Sequence, residues 1–427
     1  MLDKTKNFLK ENYKINDQSI ELLEKATKDL KDQFKYYDEI REYNQLKVLN
    51  ALQEERISES HFTNSAGYGY GDIGRDSLDK VYARIFNAES AIVRPHFVNG
   101  THAIGSALFG NLRPNDTLLA VTGTPYDTLQ SIIGIGIEEN IGSLKDYGVN
   151  YTQIDLTKEG KIDLDKVKNA LINDKSIKVI HMQRSTGYGW RKSFLVEELG
   201  EAISFIKSIR EDVIIFVDNC YGEFIQEIEP TDVGADLVAG SLIKNIGGGI
   251  APTGGYIAGK AKYVEQASFR LTIPGIGGEC GSTFGVVRQL YQGLFMAPHV
   301  SMEALKVALL SARIMEIAGF EVMPKSIDRR SDIIQAIKFN DKEKLIKFCK
   351  GIQKGSPIDS FVECEPWDMP GYKDQVIMAA GAFVQGSSIE LSADAPIREP
   401  YIAYLQGGLT FDHGKIGLLI ALSNILK

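Results

Sequence analysis

Ser241-Leu-Ile-Lys244-Asn245, running on into Ile246-Gly-Gly-Gly-Ile-Ala-Pro-Thr-Gly-Gly255, is the stretch on which the reading of the fold turns. An apolar run over 237–239 leads into it, so Lys244 stands just past the end of a strand. The glycines that follow are too many for a helix. Upstream, Val213-Ile-Ile-Phe-Val-Asp218-Asn-Cys-Tyr221 ends a second apolar run on an aspartate. The separation between the two leaves room for one turn, a short strand and its exit. Lys244 and Asp218 can therefore meet at one edge of a sheet. A surface lysine and a turn-capping aspartate are the plainer alternative.

Further short β-branched runs lie at 91–94, 118–121, 151–154, 177–182 and 256–258, with helical patterns at 126–138, 163–173 and 195–209. Apolar runs separated by helices predict an α/β fold, a mostly parallel seven-stranded sheet covered on both faces. In such sheets ligands sit beyond the carboxyl ends of the strands, where Asp218 lies. Before the sheet, Leu22, Leu23, Ala26, Leu30 and Phe34 recur at helical spacing within one or two charged helices over 18–56. After it, a long amphipathic helix at 300–318 predicts a bridge to a smaller α+β domain. Strands are expected there at 361–363, 389–392 and 401–405, with a closing helix at 414–426. The expected division is an N-terminal helical arm at 1–64, a large domain at 65–300 and a small domain at 301–427.

The 427 residues, 44% hydrophobic and 24% charged, have an ordinary globular balance,. A net charge of −8 argues against a nucleic-acid-binding face and against attraction to anionic membranes,. Cys220, Cys280, Cys349 and Cys364 are scattered, without metal-ligand spacing to the histidines, so no metal site and a reducing compartment are expected,. The polar N-terminus and the lack of a long uninterrupted apolar stretch point to a cytoplasmic protein.

A lysine facing a carboxylate in a cleft is what pyridoxal phosphate needs. The amine forms a Schiff base with its aldehyde, and the acid keeps the pyridine nitrogen protonated. Gly100, Thr101 and His102 follow the 91–94 strand and open a helix, whose free N–H groups suit a phosphate; an ordinary capped turn has the same residues. The Ser241 hydroxyl can reach the same phosphate. The glycine run behind it suits a backbone packed against a cofactor, or a surface loop, and no GKS or GKT closes it as a P-loop. Tyr126, in Pro125-Tyr-Asp-Thr128, can stack on the pyridine face or cap its helix. Ser185 and Tyr221 are further cofactor contacts, and Arg184 is a substrate contact.

Together these residues resemble the fold-type-I pyridoxal phosphate enzymes, in the branch that holds cystathionine and methionine lyases. The resemblance covers roughly residues 65 to 410. Gly67-Tyr-Gly-Tyr-Gly-Asp-Ile-Gly-Arg-Asp76, Pro125-Tyr-Asp-Thr128 and Arg398-Glu-Pro-Tyr401 are similar to one bacterial family, described as methionine gamma-lyase or cystathionine beta-lyase relatives and aluminium-resistance proteins. The resemblance implies that Ser241 binds phosphate, Lys244 is the Schiff-base residue, Asp218 pairs with the pyridinium and Tyr126 stacks. It also implies a homo-oligomer, dimer or tetramer, with shared active sites. The lyases' Tyr-x-Arg for the neighbour's phosphate departs here, with Asp72 at the arginine position, so Tyr70 and Arg75 are expected to share that role. The lyases' cysteine after the stacking tyrosine is replaced by Asp127. Tyr404 stands where their substrate-gripping arginine falls, and Arg398 is the expected substitute.

The implied activity is β- or γ-elimination from cystathionine, methionine or a cysteine-like amino acid, giving a keto acid, ammonia and a thiol. Lys244, desolvated enough to be partly neutral, is expected to take the Cα proton. The same cofactor residues also serve transamination or aldol cleavage, and a non-catalytic pyridoxal-phosphate-binding stress protein is a third reading.

Overall fold

The computed structural model describes residues 1–137, 140–369 and 374–426. Three helices open the chain: α1 (Asp3–Tyr13), α2 (Asp17–Asp29) and α3 (Lys31–Glu54). Asn16 caps α2 by accepting from the Ser19 N–H, and Ile20, Leu23 and Ala26 form its buried stripe,. Each such leucine or isoleucine contributes about 1.5–3 kcal/mol by leaving water.

Helix α4 (Ile73–Ile85) then leads into alternating elements: β1 (Ser90–Arg94), α5 (Gly100–Asn111), β2 (Thr117–Ala120), α6 (Asp127–Ile133), β3 (Asn150–Gln153), α7 (Leu164–Asn173), β4 (Ile177–Gln183), α8 (Val196–Ile209), β5 (Ile214–Asp218), β6 (Leu237–Ser241), β7 (Gly255–Gly259) and α9 (Ala261–Leu271). The seven strands form one sheet in the order β1-β7-β6-β5-β4-β2-β3. Only β7 runs against its neighbours. Along β5, Ile215 and Val217 enter one core, while Ile214 and Phe216 enter the core on the other face. Burial on both faces is why these strands read as continuous apolar runs. The helix expected over 126–138 spans Asp127–Ile133, and residue 138 lies outside the described residues.

Helix α10 (Val287–Ile317) starts well before the expected residue 300. Its first half, with Leu290 and Leu294, packs on the large sheet, and its second half, with Leu305 and Leu309, packs on the small one. The expected boundary at 300/301 thus falls inside a continuous helix. Ile20, Leu23 and Ile40 of the N-terminal helices join the small-sheet core, so the arm packs against both halves of the chain. Among the described residues, α10 alone is long and apolar enough to cross a membrane, and it is packed inside the protein.

The small sheet is antiparallel: β8 (Glu321–Met323), β9 (Gln335–Lys338), β10 (Val376–Ala379), β11 (Ser392–Pro396) and β12 (Ile402–Gln406), in the order β10-β11-β12-β9-β8. Helices α11 (Lys342–Lys354) and α12 (Phe411–Ile425) cover one face. The strand expected at 361–363 is absent, and Phe361 there is 86% exposed. The run at 389–392 is buried, but pairing starts only at Ser392.

His181 of β4 lies fully buried, and among the described residues neither ring nitrogen has a hydrogen-bond partner. Burial pushes its pKa down to about 4,. The unfolded chain takes up that proton near pH 6.5, the folded chain only near 4. The contribution of neutral His181 is therefore complete above about pH 6.5 and declines as the pH falls toward 4, by about 3 kcal/mol. Urea titrations across this range should show that decline in the wild type, and His181→Leu should flatten it. An equal slope in both proteins would refute the assignment.

Candidate active site

Because β1, β4, β5 and β6 run parallel, Arg94, Gln183, Asp218 and Ser241 all end at one edge of the sheet. Two turns then shape the site. After β5 the chain reverses through Tyr221, held at φ 72°, a left-handed conformation that a non-glycine residue adopts only when its surroundings impose it. The Asn245 side-chain amide supplies one restraint by donating to the Tyr221 carbonyl at 2.9 Å. After β6 the chain turns through Lys244, whose N–H donates to the Ser241 carbonyl at 3.3 Å.

Lys244 Nζ lies 3.9 Å from the centroid of the Tyr221 ring,. Asp218 is 7% exposed and accepts from the Cys220 N–H at 3.1 Å. Burial raises the Asp218 pKa, and the Lys244 ammonium opposes that rise. For Lys244, burial disfavours the charge, but Cys220, Tyr221, Asp218 and Glu223 outweigh it, so its pKa is raised. Burial and the surrounding acidic groups thus act on Lys244 in opposite directions,. Glu223 lies below, accepting from the Tyr256 hydroxyl at 2.9 Å. Burial pushes its carboxyl up to about 8.

Gly100 opens α5 directly against this turn. A Cβ there would lie 2.9 Å from Ser241 Cβ and 3.5 Å from Cys220 Sγ. Asn99 caps the helix by accepting from the His102 N–H at 2.8 Å. As the first residues of α5, Gly100 and Thr101 have N–H groups with no intrahelical acceptor. The Thr101 hydroxyl meets that of Thr128 at 3.0 Å, tying α5 to α6. These N–H groups, the buried Ser241 hydroxyl and the positive end of the helix make a donor set that fits a phosphate. With Lys244 and Asp218 beside it, the cradle fits pyridoxal phosphate.

Tyr126 precedes α6, and its N–H donates to the Gln183 side chain at 2.9 Å. Its ring lies 5.8 Å from that of Tyr188, which in turn is 5.1 Å from Tyr404. Ser185 is buried two residues beyond Gln183, and its carbonyl accepts from Gln183 and Arg191.

Other expected site residues lie apart. Arg184 is completely buried, donating to Ser331, Asn219, Glu229 and Gln226, so its guanidinium is committed to the interior and cannot grip substrate. Arg75 is 1% exposed and bonds Gly69, Gly281, Glu279 and Asp76, clamping the Gly/Tyr-rich turn instead of reaching a neighbour. Tyr70 is 67% exposed, stacked on Tyr68. The Nδ1 of His102 accepts from the Val98 N–H, and its ring borders a cavity of about 490 Å³ that contains neither Lys244 nor Asp218. Arg398 is exposed and paired with Asp374 at 3.0 Å. Within the glycine run, Gly248 presses against α10, where a Cβ would collide with the Gly293 carbonyl.

Gln183, Glu223, Arg191 and Asp394 are site residues that the sequence reading did not single out. Gln183 had a legible signal, since it ends an apolar run as Asp218 does. Arg191 donates to the carbonyls of Lys192, Gln183 and Ser185, and burial pushes its pKa down to about 10 against the pull of Asp332.

A profile of the methionine gamma-lyase family matches residues 19–426. Uncharacterized protein YnbB of Bacillus subtilis (strain 168) is 54% identical over 393 residues, covering 92% of this chain and 93% of that protein. The crystal structure of a carbon-sulfur lyase involved in aluminum resistance from Clostridium novyi NT is 70% identical, with TM-score 0.97 and 100% of both chains covered. Cystathionine gamma synthase from Xanthomonas oryzae pv. oryzae, 18% identical, shares the fold alone, with TM-score 0.56 over 83% of this chain and 86% of that one.

Adding the missing methyl group in Gly100→Ala should push α5 off the Ser241 turn. Pyridoxal phosphate affinity, read by absorbance titration, is expected to fall about tenfold or more, in line with overpacking costs of about 1–3 kcal/mol. Unchanged affinity would mean that the cradle lies elsewhere.

Proposed function

The chain belongs to the methionine gamma-lyase family, and from that premise we propose that it eliminates a thiol from Cβ or Cγ of a sulfur amino acid, releasing a keto acid and ammonia. The observation that carries this reading is that Gly100, at the start of α5, packs against Ser241 and Cys220, the residues that lead into Lys244 and follow the buried Asp218. Lys244 would anchor pyridoxal phosphate, Asp218 would face its ring nitrogen, and Ser241 with the Gly100 and Thr101 N–H groups would hold its phosphate. Tyr126 and Tyr221 are the aromatic groups proposed to border its ring. Bound there, the group supplies an electron sink for a carbanion at the substrate Cα.

The chain's own residues supply the rest. As a free neutral amine, Lys244 would take up the proton removed from the substrate Cα. The same side chain can then return that proton to a later carbon. Asp218 is deeply buried, which strengthens its field on any group facing it,. Tyr126 is proposed to pass a proton to the leaving thiolate. Arg191 and Arg398 are proposed as the cations that take a substrate carboxylate. Exposed Tyr70 and Tyr68 are proposed to meet a second subunit of a homo-oligomer.

Purified wild-type protein given cystathionine, methionine and cysteine should release keto acid and ammonia from at least one of them. Lys244→Ala should lose both the yellow colour and all elimination. Asp218→Asn should keep the colour and lose about 10²–10³ in kcat. Amino-group exchange without thiol release, or full activity in Lys244→Ala, would overturn the proposal.

A further inference from the structure

One face of the small sheet packs against Tyr221, the ring that Lys244 contacts. Along β11, Ala393 and Ala395 enter the core under α11 and α12, which leaves Asp394 between them on the opposite face,. Directly across on β12 stands Tyr404. Tyr404 packs with Tyr188 and Tyr221, and its hydroxyl donates to the Tyr188 carbonyl at 2.5 Å. Tyr221 is the ring on which Lys244 Nζ rests. Asp394 therefore belongs to the wall opposite the lysine, in a different sheet from Asp218.

Its carboxylate is held at one end only. Gln406, 4% exposed, donates to Oδ2 at 3.0 Å. Among the described residues Oδ1 accepts no hydrogen bond. Burial pushes the carboxyl up to about 6, and the Lys244 charge pulls it back down. A fixed, half-buried carboxylate among tyrosines gains from any cation that enters the cleft and repels any anion. Methionine ends in a neutral methyl group and offers nothing to Oδ1. A thioether with a second amino group does.

We propose that Asp394 forms a cation subsite that reads a second ammonium group on the substrate, making diamino thioethers such as cystathionine preferred over monoamino ones. This rests on the carbon–sulfur lyase reading for the substrate's identity, but the recognition itself can be tested without turnover.

The cofactor-loaded wild type, Asp394→Asn and Asp394→Glu are titrated by calorimetry with norvaline and with diaminobutyrate, ornithine and lysine, none of which carries a thiol to eliminate. The wild type should bind at least one diamino acid roughly 10- to 100-fold more tightly than norvaline. Asp394→Asn should bind both kinds alike. Asp394→Glu should keep the preference and shift it to a shorter diamino acid, which a merely structural role would not do. The ratio of kcat/KM for cystathionine over methionine should fall in Asp394→Asn by a similar factor. No preference in the wild type, or an undiminished one in Asp394→Asn, would overturn the subsite. If the wild type shows the preference but eliminates from no thioether, the lyase reading fails while the subsite stands.

Discussion

Reversal of the chain between β6 and β7 is the constraint from which the site follows. Parallel strands bring Asp218 and Ser241 to one edge without further instruction, but a parallel β7 would need a long crossover after Lys244. Running β7 antiparallel lets the chain leave and re-enter at the same edge, so the lysine sits on a short, fixed connection. That connection is closed from behind by backbone. Gly248 of the turn and Gly293 of α10 approach so closely that neither has space for a side chain. Helix α10 also packs on the small sheet, so the contact that seats Lys244 also sets the opposite wall of the cleft.

Electrostatics then separates the acids by environment. Asp218, Glu223 and Asp394 all lie near one ammonium, and burial raises the pKa of each. Glu223, already hydrogen-bonded to Tyr256, is the one driven up to about 8, so near neutral pH it is largely protonated. Asp218 and Asp394 are the other two carboxyls that interact with Lys244. Those two come from different sheets and approach from different sides. One suits a ring nitrogen of the group anchored at the lysine, the other whatever enters between the sheets.

The large sheet was legible because its strands are buried on both faces, which forces unbroken apolar runs such as Val213-Ile-Ile-Phe-Val. The small sheet was mostly hidden. Ser392-Ala-Asp-Ala-Pro396 contains no β-branched or aromatic residue, so nothing in its local pattern marks a strand,. For the site, Lys244, Asp218 and Gly100 carried a local signature, a strand end followed by the right residue. The arginines did not. Whether a guanidinium is free depends on acceptors brought from far along the chain. Arg75 is consumed by carbonyls of Glu279 and Gly281, and Arg184 by Ser331, Asn219 and Glu229. No spacing rule around Arg75 or Arg184 encodes those partners.

The same difference explains why such a fold can keep its cofactor chemistry while changing what it acts on. Residues proposed for the cofactor sit at the ends of strands in one sheet, and moving any of them disturbs packing on both of its faces. The facing wall belongs to an antiparallel sheet whose core side is built from small residues, Ala393, Ala395 and Ala403, under α11 and α12. Its other side, with Asp394, Tyr404 and Gln406, faces the cleft. Replacing Asp394 removes a charge without opening a hole in either core. Substrate choice is therefore the property this architecture leaves free to vary, and a carboxylate opposite the lysine is one setting of it.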